Sequence, residues 1–235
     1  MWQALHAELQ SAGLTIVTVA LDTDVEAARP FDQAANPTHP SLVDPALSLV
    51  DMFGITNVPF GVWIDENGML VRPAEVAFAP RVQAAAAPGA TAPERPQMPP
   101  NLSPEHQKVI AGMMSATRDT ERYVGAVRDW VTNGAASQYV LSPSEVISRS
   151  RPRPPEAALA AAEYELGQHL HRAGHKLDAV GHFQEAHRLD PDNWSYPRNA
   201  YAIVDRDQMG DPYGTGLLDE VGRIGPDTFY PDLDM

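Results

Sequence analysis

No cysteine occurs anywhere in the 235 residues. That absence removes disulfides, thiolate metal ligands, thiol nucleophiles and dithiol redox chemistry, and it leaves the compartment open. Methionine oxidation is the only sulfur redox chemistry that remains. Long apolar runs are missing as well. None approaches the ~18–20 residues of a membrane span, and the N-terminus carries no signal-peptide pattern. The expectation is a soluble chain, cytoplasmic if Met1 is its start. Positive charge is scarce, with 17 Lys and Arg against 31 Asp and Glu, a net charge of −14. Such a balance argues against nucleic acid as a partner, because phosphate recognition needs clustered Lys and Arg, and it repels anionic membrane surfaces. Phosphate-binding glycine loops and a Gly-x-Ser-x-Gly nucleophile elbow are also lacking. No cofactor and no catalytic residue is therefore expected.

What the chain has in plenty is proline, 22 residues of it. Pro80, Pro88, Pro93, Pro96, Pro99 and Pro100 interrupt an alanine-rich stretch and favour extended spacer geometry over a long helix. They divide the chain into a first part at residues 1–75, a linker at 76–101 and a second part at 102–235. A length of 235 residues suits one large or two small domains.

The first part alternates helical and strand patterns. Trp2, Leu5 and Leu9 recur at helical spacing, and Gly13 supplies a stop. Residues 14–21 are β-branched and almost continuously apolar, which predicts a strand buried on both faces. Asp22 and Asp24 follow as capping acids, Asp24 at the start of a helix running towards Pro30. Residues 36–44 read as loop, and Asp44 then caps a helix with Pro45 at its first position and Gly54 at its end. The organising stretch is 57–71. Val58-Pro59 opens a strand, Asp65-Glu66-Asn67-Gly68 is a hairpin signal, and a second strand follows. An X–Pro amide favours trans by only about 0.5–1 kcal/mol, so this is the natural place for a cis bond.

That order resembles the thioredoxin superfamily, and within it the TlpA/ResA-like and redoxin branch. The similarity covers residues 2–72 and rests on Val58-Pro59, at the family's cis-proline position, and on Ile64-Asp65-Glu66-Asn67-Gly68, the hairpin after it. The resemblance implies a peptide-docking edge in which Val58 offers its backbone beside Pro59. It also implies a central strand and a Cys-x-x-Cys turn ahead of Trp2, neither of which is in this sequence. The fold class expected is an incomplete thioredoxin-like α/β sheet followed by an all-α part. Three ways to complete the sheet suggest themselves: residues 14–21 pair directly with 60–64, residues 137–141 fill the gap, or another chain does, by self-association at the open edge.

In the second part, Ser103-Pro104-Glu105 starts a helix, and Asn133-Gly134 ends another. Residues 149–155 read as a stiff, proline-rich connector. Residues 160–193 resemble one tetratricopeptide repeat. Gly167, Ala179 and Ala186 let two helices approach, Gly174 makes the turn, and Phe183 fills the interface. Glu163 stands where that repeat carries an aromatic residue, and Tyr164 beside it is the substitute. Helices from 103–132 and 194–208 are expected to stack on the pair, since one repeat cannot bury its own faces. The histidines at 169, 171, 175, 182 and 187 lack matching carboxylates and read as exposed helix residues, so no metal site is expected. Residues 205–210 open like a calcium loop, but Met209 replaces an oxygen ligand and Gly216 the bidentate Glu.

Two functional expectations compete. In the first, the chain is a redox-inactive thioredoxin-like and tetratricopeptide-like module that binds a protein or peptide. In the second, it is the C-terminal remnant of a thiol–disulfide oxidoreductase or peroxiredoxin-like enzyme whose Cys-x-x-Cys lies upstream of Met1.

Overall fold

A computed structural model describes residues 2–78, 102–115, 119–150, 153–204, 216–229 and 232–235. Among them the chain is a mixed α/β structure, with four short strands in two separate sheets and helices around both. Helix α1 (Trp2–Leu9) tightens into a 3-10 turn at Gln10–Ala12, and Gly13 leaves it at φ +100°. The strand that follows is shorter than its apolar run: β1 covers Thr18–Ala20. Burial on both faces is not achieved either, since these residues are half-buried and Val17 is 50% exposed. The cause is the pairing. β1 has one neighbour, the parallel β2 (Ser41–Val43), within the stretch read as loop.

Helix α2 (Val25–Ala35) starts as expected, with the Asp24 carboxylate accepting from the Glu26 and Ala27 amides at 3.0 and 3.3 Å. Asp22 in turn accepts from the Asp24 amide at 3.0 Å, so both acids serve the cap. Helix α3 (Ser48–Phe53) begins later than expected, because Leu47 takes a left-handed φ of +57° and Asp44 bonds the Leu49 amide at 2.8 Å. Then β3 (Phe60–Ile64) and β4 (Leu70–Val76) form an antiparallel hairpin. Asp65 closes its turn by accepting from the Asn67 and Met69 amides at 2.9 and 2.8 Å, while Gly68 supplies a φ of +77°. Ala77 and Phe78 are buried, so the chain read as linker begins inside the core; its remainder, 79–101, lies outside the described residues.

No strand pairing joins β1 to β3 among the described residues. Residues 14–21 therefore do not pair with 60–64. Nor do residues 137–141 form a strand; the Leu141 amide bonds the Val71 carbonyl at 3.1 Å, beside β4.

The helical part comprises α4 (Pro104–Ser115), α5 (Thr120–Asn133), α6 (Pro143–Ser150), α7 (Pro155–Arg172), α8 (Lys176–Leu189), α9 (Ser195–Val204), α10 (Leu217–Ile224) and the short α11 (Pro226–Phe229). Ser103 and Asp119 cap α4 and α5. The stretch read as a connector at 149–155 instead begins inside α6 and ends at the first residue of α7. Helices α7 and α8 form an antiparallel hairpin turned at Gly174, whose φ is +90°. Gly167 faces Phe183 so closely that a Cβ added there would stand 2.7 Å from the ring.

Apolar side chains gather into two cores. The first joins Leu21, Leu47 and Val50 to Tyr164, Phe183, Trp194, Tyr196 and Val221. The second joins Leu5, Trp63, Val71 and Ala77 to Tyr123, Val124, Val127 and Leu233. Each core draws on residues from both sides of 79–101, so the compositional boundary is not a break in packing. Helix α9 stacks on α8, as expected; α4 instead packs on α10 and α11, from where Val109 and Met113 reach the first core, and α5 goes to the second.

Candidate functional site

The Val58–Pro59 peptide bond is cis. Local chemistry shapes the loop around it. Asn57, 6% exposed, accepts the Val58 amide on its own Oδ1 at 2.8 Å and donates from Nδ2 to the Phe229 carbonyl at 2.7 Å. The N–H that the family resemblance would offer to a peptide is thus engaged by Asn57. Val58 packs against the first core, Pro59 is exposed, and the Pro59 carbonyl accepts from the Ala77 amide at 3.0 Å. Two residues on, Gly61 has no room for a side chain: a Cβ would stand 3.0 Å from both Ala77 and the Tyr123 hydroxyl.

Beside this loop lies a cleft of about 40 Å³ lined by Thr56, Asn57, Phe60, Asp192, Trp194 and Phe229 among others. That is room for a few waters, where a small-molecule site needs roughly 300–1,000 Å³. What the arrangement can offer a partner is an exposed proline next to a strand end, not a chamber for chemistry.

Several titratable groups pair between packed helices. His182 lies 2.6 Å from Glu163 across α7 and α8, and His106 2.8 Å from Asp219 across α4 and α10. His187 is not the exposed helix residue expected. Its side chain is 12% exposed and lies 3.1 Å from Glu220, which also accepts from Arg223 at 2.8 Å. Burial holds the His187 imidazole below its usual range, with Arg223 adding to this and Glu220 opposing it. The nearest approach to an acid–base group is Asp190, which burial raises while the Asn193 amide at 3.1 Å opposes the shift. Close by, Tyr196 donates to Asp51 at 2.7 Å, and burial first and Asp51 second push the phenol up. Asp190 also closes α8, and no group of three or more metal-ligating side chains occurs among the described residues. The calcium-like stretch at 205–210 lies outside the described residues. No helix among the described residues is long and apolar enough to cross a membrane.

Two important residues carried little sequence signal. Asn57 looks like an ordinary turn residue before Val58-Pro59; its partner Phe229 is 172 positions away. Arg72 sits within β4 yet is 2% exposed, bound to Glu75 and donating to the Tyr139 and Asp234 carbonyls at 2.8 Å each. The Glu75 three positions on was the one local hint. A search of family models, curated proteins and solved structures gave no match to this chain.

Proposed function

We propose that this chain is a redox-inactive thioredoxin-like protein carrying a tetratricopeptide-like helical hairpin, and that it works as a protein- or peptide-interaction module. The observation that carries the reading is the exposed Pro59 at the entry to β3, held beside the buried Asn57. The helix and strand order ahead of it supports the same reading, as does the α7–α8 hairpin with Gly167 against Phe183. Without cysteine the docking edge has no mixed disulfide to form, so it holds a peptide rather than reducing one. Selection of a random peptide library on the purified protein tests this. Selected peptides should shift the amide resonances of Val58, Phe60 and Gly61. Binders that leave this loop untouched would sink the assignment, as would insulin reduction above blank by metal-free protein.

The split between the two sheets favours a second reading. A strand supplied from upstream of Met1, with a Cys-x-x-Cys at its end, would make the protein a thiol–disulfide oxidoreductase of which this chain is the remainder. The genomic DNA just upstream decides. An in-frame Cys-x-x-Cys there would replace the first reading with the second.

A further inference from the structure

We propose that the surface where β4, α5 and α6 meet is a second peptide-binding site, filled in cis by the chain's own residues 232–235. Its partner in trans is an extended segment of apolar–acidic–apolar pattern. Residues 232–235 form neither helix nor strand, yet three arginines from three elements hold them. Arg72 on β4 donates to the Asp234 carbonyl at 2.8 Å, and Arg122 on α5 to the Leu233 carbonyl at 3.3 Å. Arg149 on α6 reaches the Asp234 carbonyl at 3.4 Å and its carboxylate at 2.9 Å. Leu233, 8% exposed, enters the second core, and Met235 packs against it.

This is recognition by side chains of a main chain, the kind that can be transferred to another peptide. Two successive carbonyls are read whatever their side chains are, and the apolar position at 233 sets the register. Arg72 is prepared for it. Glu75, the Tyr139 carbonyl and the Trp63 ring 5.7 Å from its guanidinium carbon fix the group independently of the segment it binds. Charge points the same way. In a chain of net charge −14, three of its 17 basic residues converge on one short segment; Glu75 balances Arg72, and Arg122 and Arg149 are the cations left to favour an acidic ligand. The Asp234 side chain is 83% exposed, so its ion pair with Arg149 selects more than it stabilises. Occupancy in cis sets the threshold. A tethered ligand acts at an effective concentration on the order of millimolar, and a trans peptide must exceed that to enter.

The probe is a labelled peptide of residues 231–235 blocked at both ends, titrated by fluorescence anisotropy. It is added to the full chain, to the chain lacking residues 232–235, and to that shortened chain carrying Arg122→Ala and Arg149→Ala. The shortened chain should bind at least about tenfold more tightly than the full chain. The arginine substitutions should weaken its binding by about tenfold or more, and a peptide with Leu233→Asp should not bind. If the shortened chain fails to fold, the full-length Leu233→Asp variant, which expels the segment because a carboxylate cannot be buried in the apolar place of Leu233, replaces it. A folded, segment-free protein that ignores the peptide overturns the proposal, as does equal binding with and without the segment. Failure of both variants to fold makes the segment a structural element and overturns it too. A dimer that needs residues 232–235 would show exchange between two copies and overturn the cis occupancy.

Discussion

The two cores are built on different principles. In the first, small residues let helices close on aromatic rings. Ala160, Ala179, Phe183, Ala186 and Ala200 are all 0% exposed, and Tyr164 stacks on Tyr196 at 4.9 Å and tilts against Phe183 at 5.3 Å. In the second, polar groups hold the rings in place. Trp63 stacks on Trp130 at 4.9 Å, donates to the Tyr123 hydroxyl at 3.1 Å and lies under the Arg72 guanidinium. Burial pushes the Tyr123 phenol up to about 12, so it stays protonated at any working pH. A core closed by shape fails when volume changes. A core organised around a buried cation fails when a charge loses its partner.

Volume gives the largest expected effect. Phe183→Ala removes a fully buried ring at the α7–α8 contact and should cost about 3–5 kcal/mol in urea unfolding. Gly167→Ala presses on the same ring and on the Ala179 carbonyl 3.3 Å from the added Cβ. Combining it with Phe183→Leu should recover part of the loss. Additive losses would mean that the helix contact is not the constraint.

Charge should come next. Arg72→Met leaves Glu75 unpaired, the Tyr139 carbonyl without its donor and the Asp234 carbonyl with only the longer Arg149 bond, at a cost of about 3 kcal/mol. Adding Glu75→Leu removes the stranded carboxylate and should restore more than half of that. A single variant as stable as the parent would show that the second core does not depend on its cation.

The same contrast explains what could be read in advance. Gly167, Gly174, Ala179, Phe183 and Ala186 belong to one hairpin, so a 34-residue spacing that resembles one tetratricopeptide repeat was enough to locate their contact. Asp65 and Gly68 made the β3–β4 turn legible for the same local reason. Arg72 looks like an outward strand residue until its partners at Tyr139 and Asp234, 67 and 162 positions away, are known. The strand read over 14–21 failed for a related cause. Only Leu21 of its apolar run is buried, and pairing with β2 limits the strand to Thr18–Ala20. Asn57 was invisible because its neighbour α11 comes from the far end of the chain.

Acid should loosen both cores by a smaller amount. His39, 7% exposed, is held below the usual imidazole range by burial first and by His6 second, with Asp32 opposing. Its ring meets that of His6 on α1 at 5.4 Å, beside the second core; His187 is depressed by burial at the first. A depressed imidazole binds fewer protons folded than unfolded. Its contribution is therefore complete above the unfolded value of about 6.5 and is lost as pH falls through it. The urea midpoint should start to drop as pH falls below about 6.5 and go on dropping towards the depressed folded values. His39→Gln and His187→Gln should each flatten part of that drop. A pH response unchanged in both variants would place its origin elsewhere, His171 first, since burial holds that imidazole below its usual range too.

The smallest effect expected is from cutting the chain. Arg81 stands in the proline- and alanine-rich stretch, whereas Arg72 and Arg95 are each followed by proline and resist trypsin. Brief digestion should therefore cut first after Arg81. If the two halves were separate bodies, the fragments would part and melt independently. They should do neither. Leu47 and Val50 lie in one core with Phe183 and Tyr196, and Trp63 and Val71 in the other with Tyr123 and Val127. Each half alone would expose its side of both cores, and every buried side chain among these contributes roughly 1.5–3 kcal/mol. The nicked protein should elute from a sizing column at the position of the intact chain and melt in one transition. Two separated, folded fragments would show that neither core needs both halves.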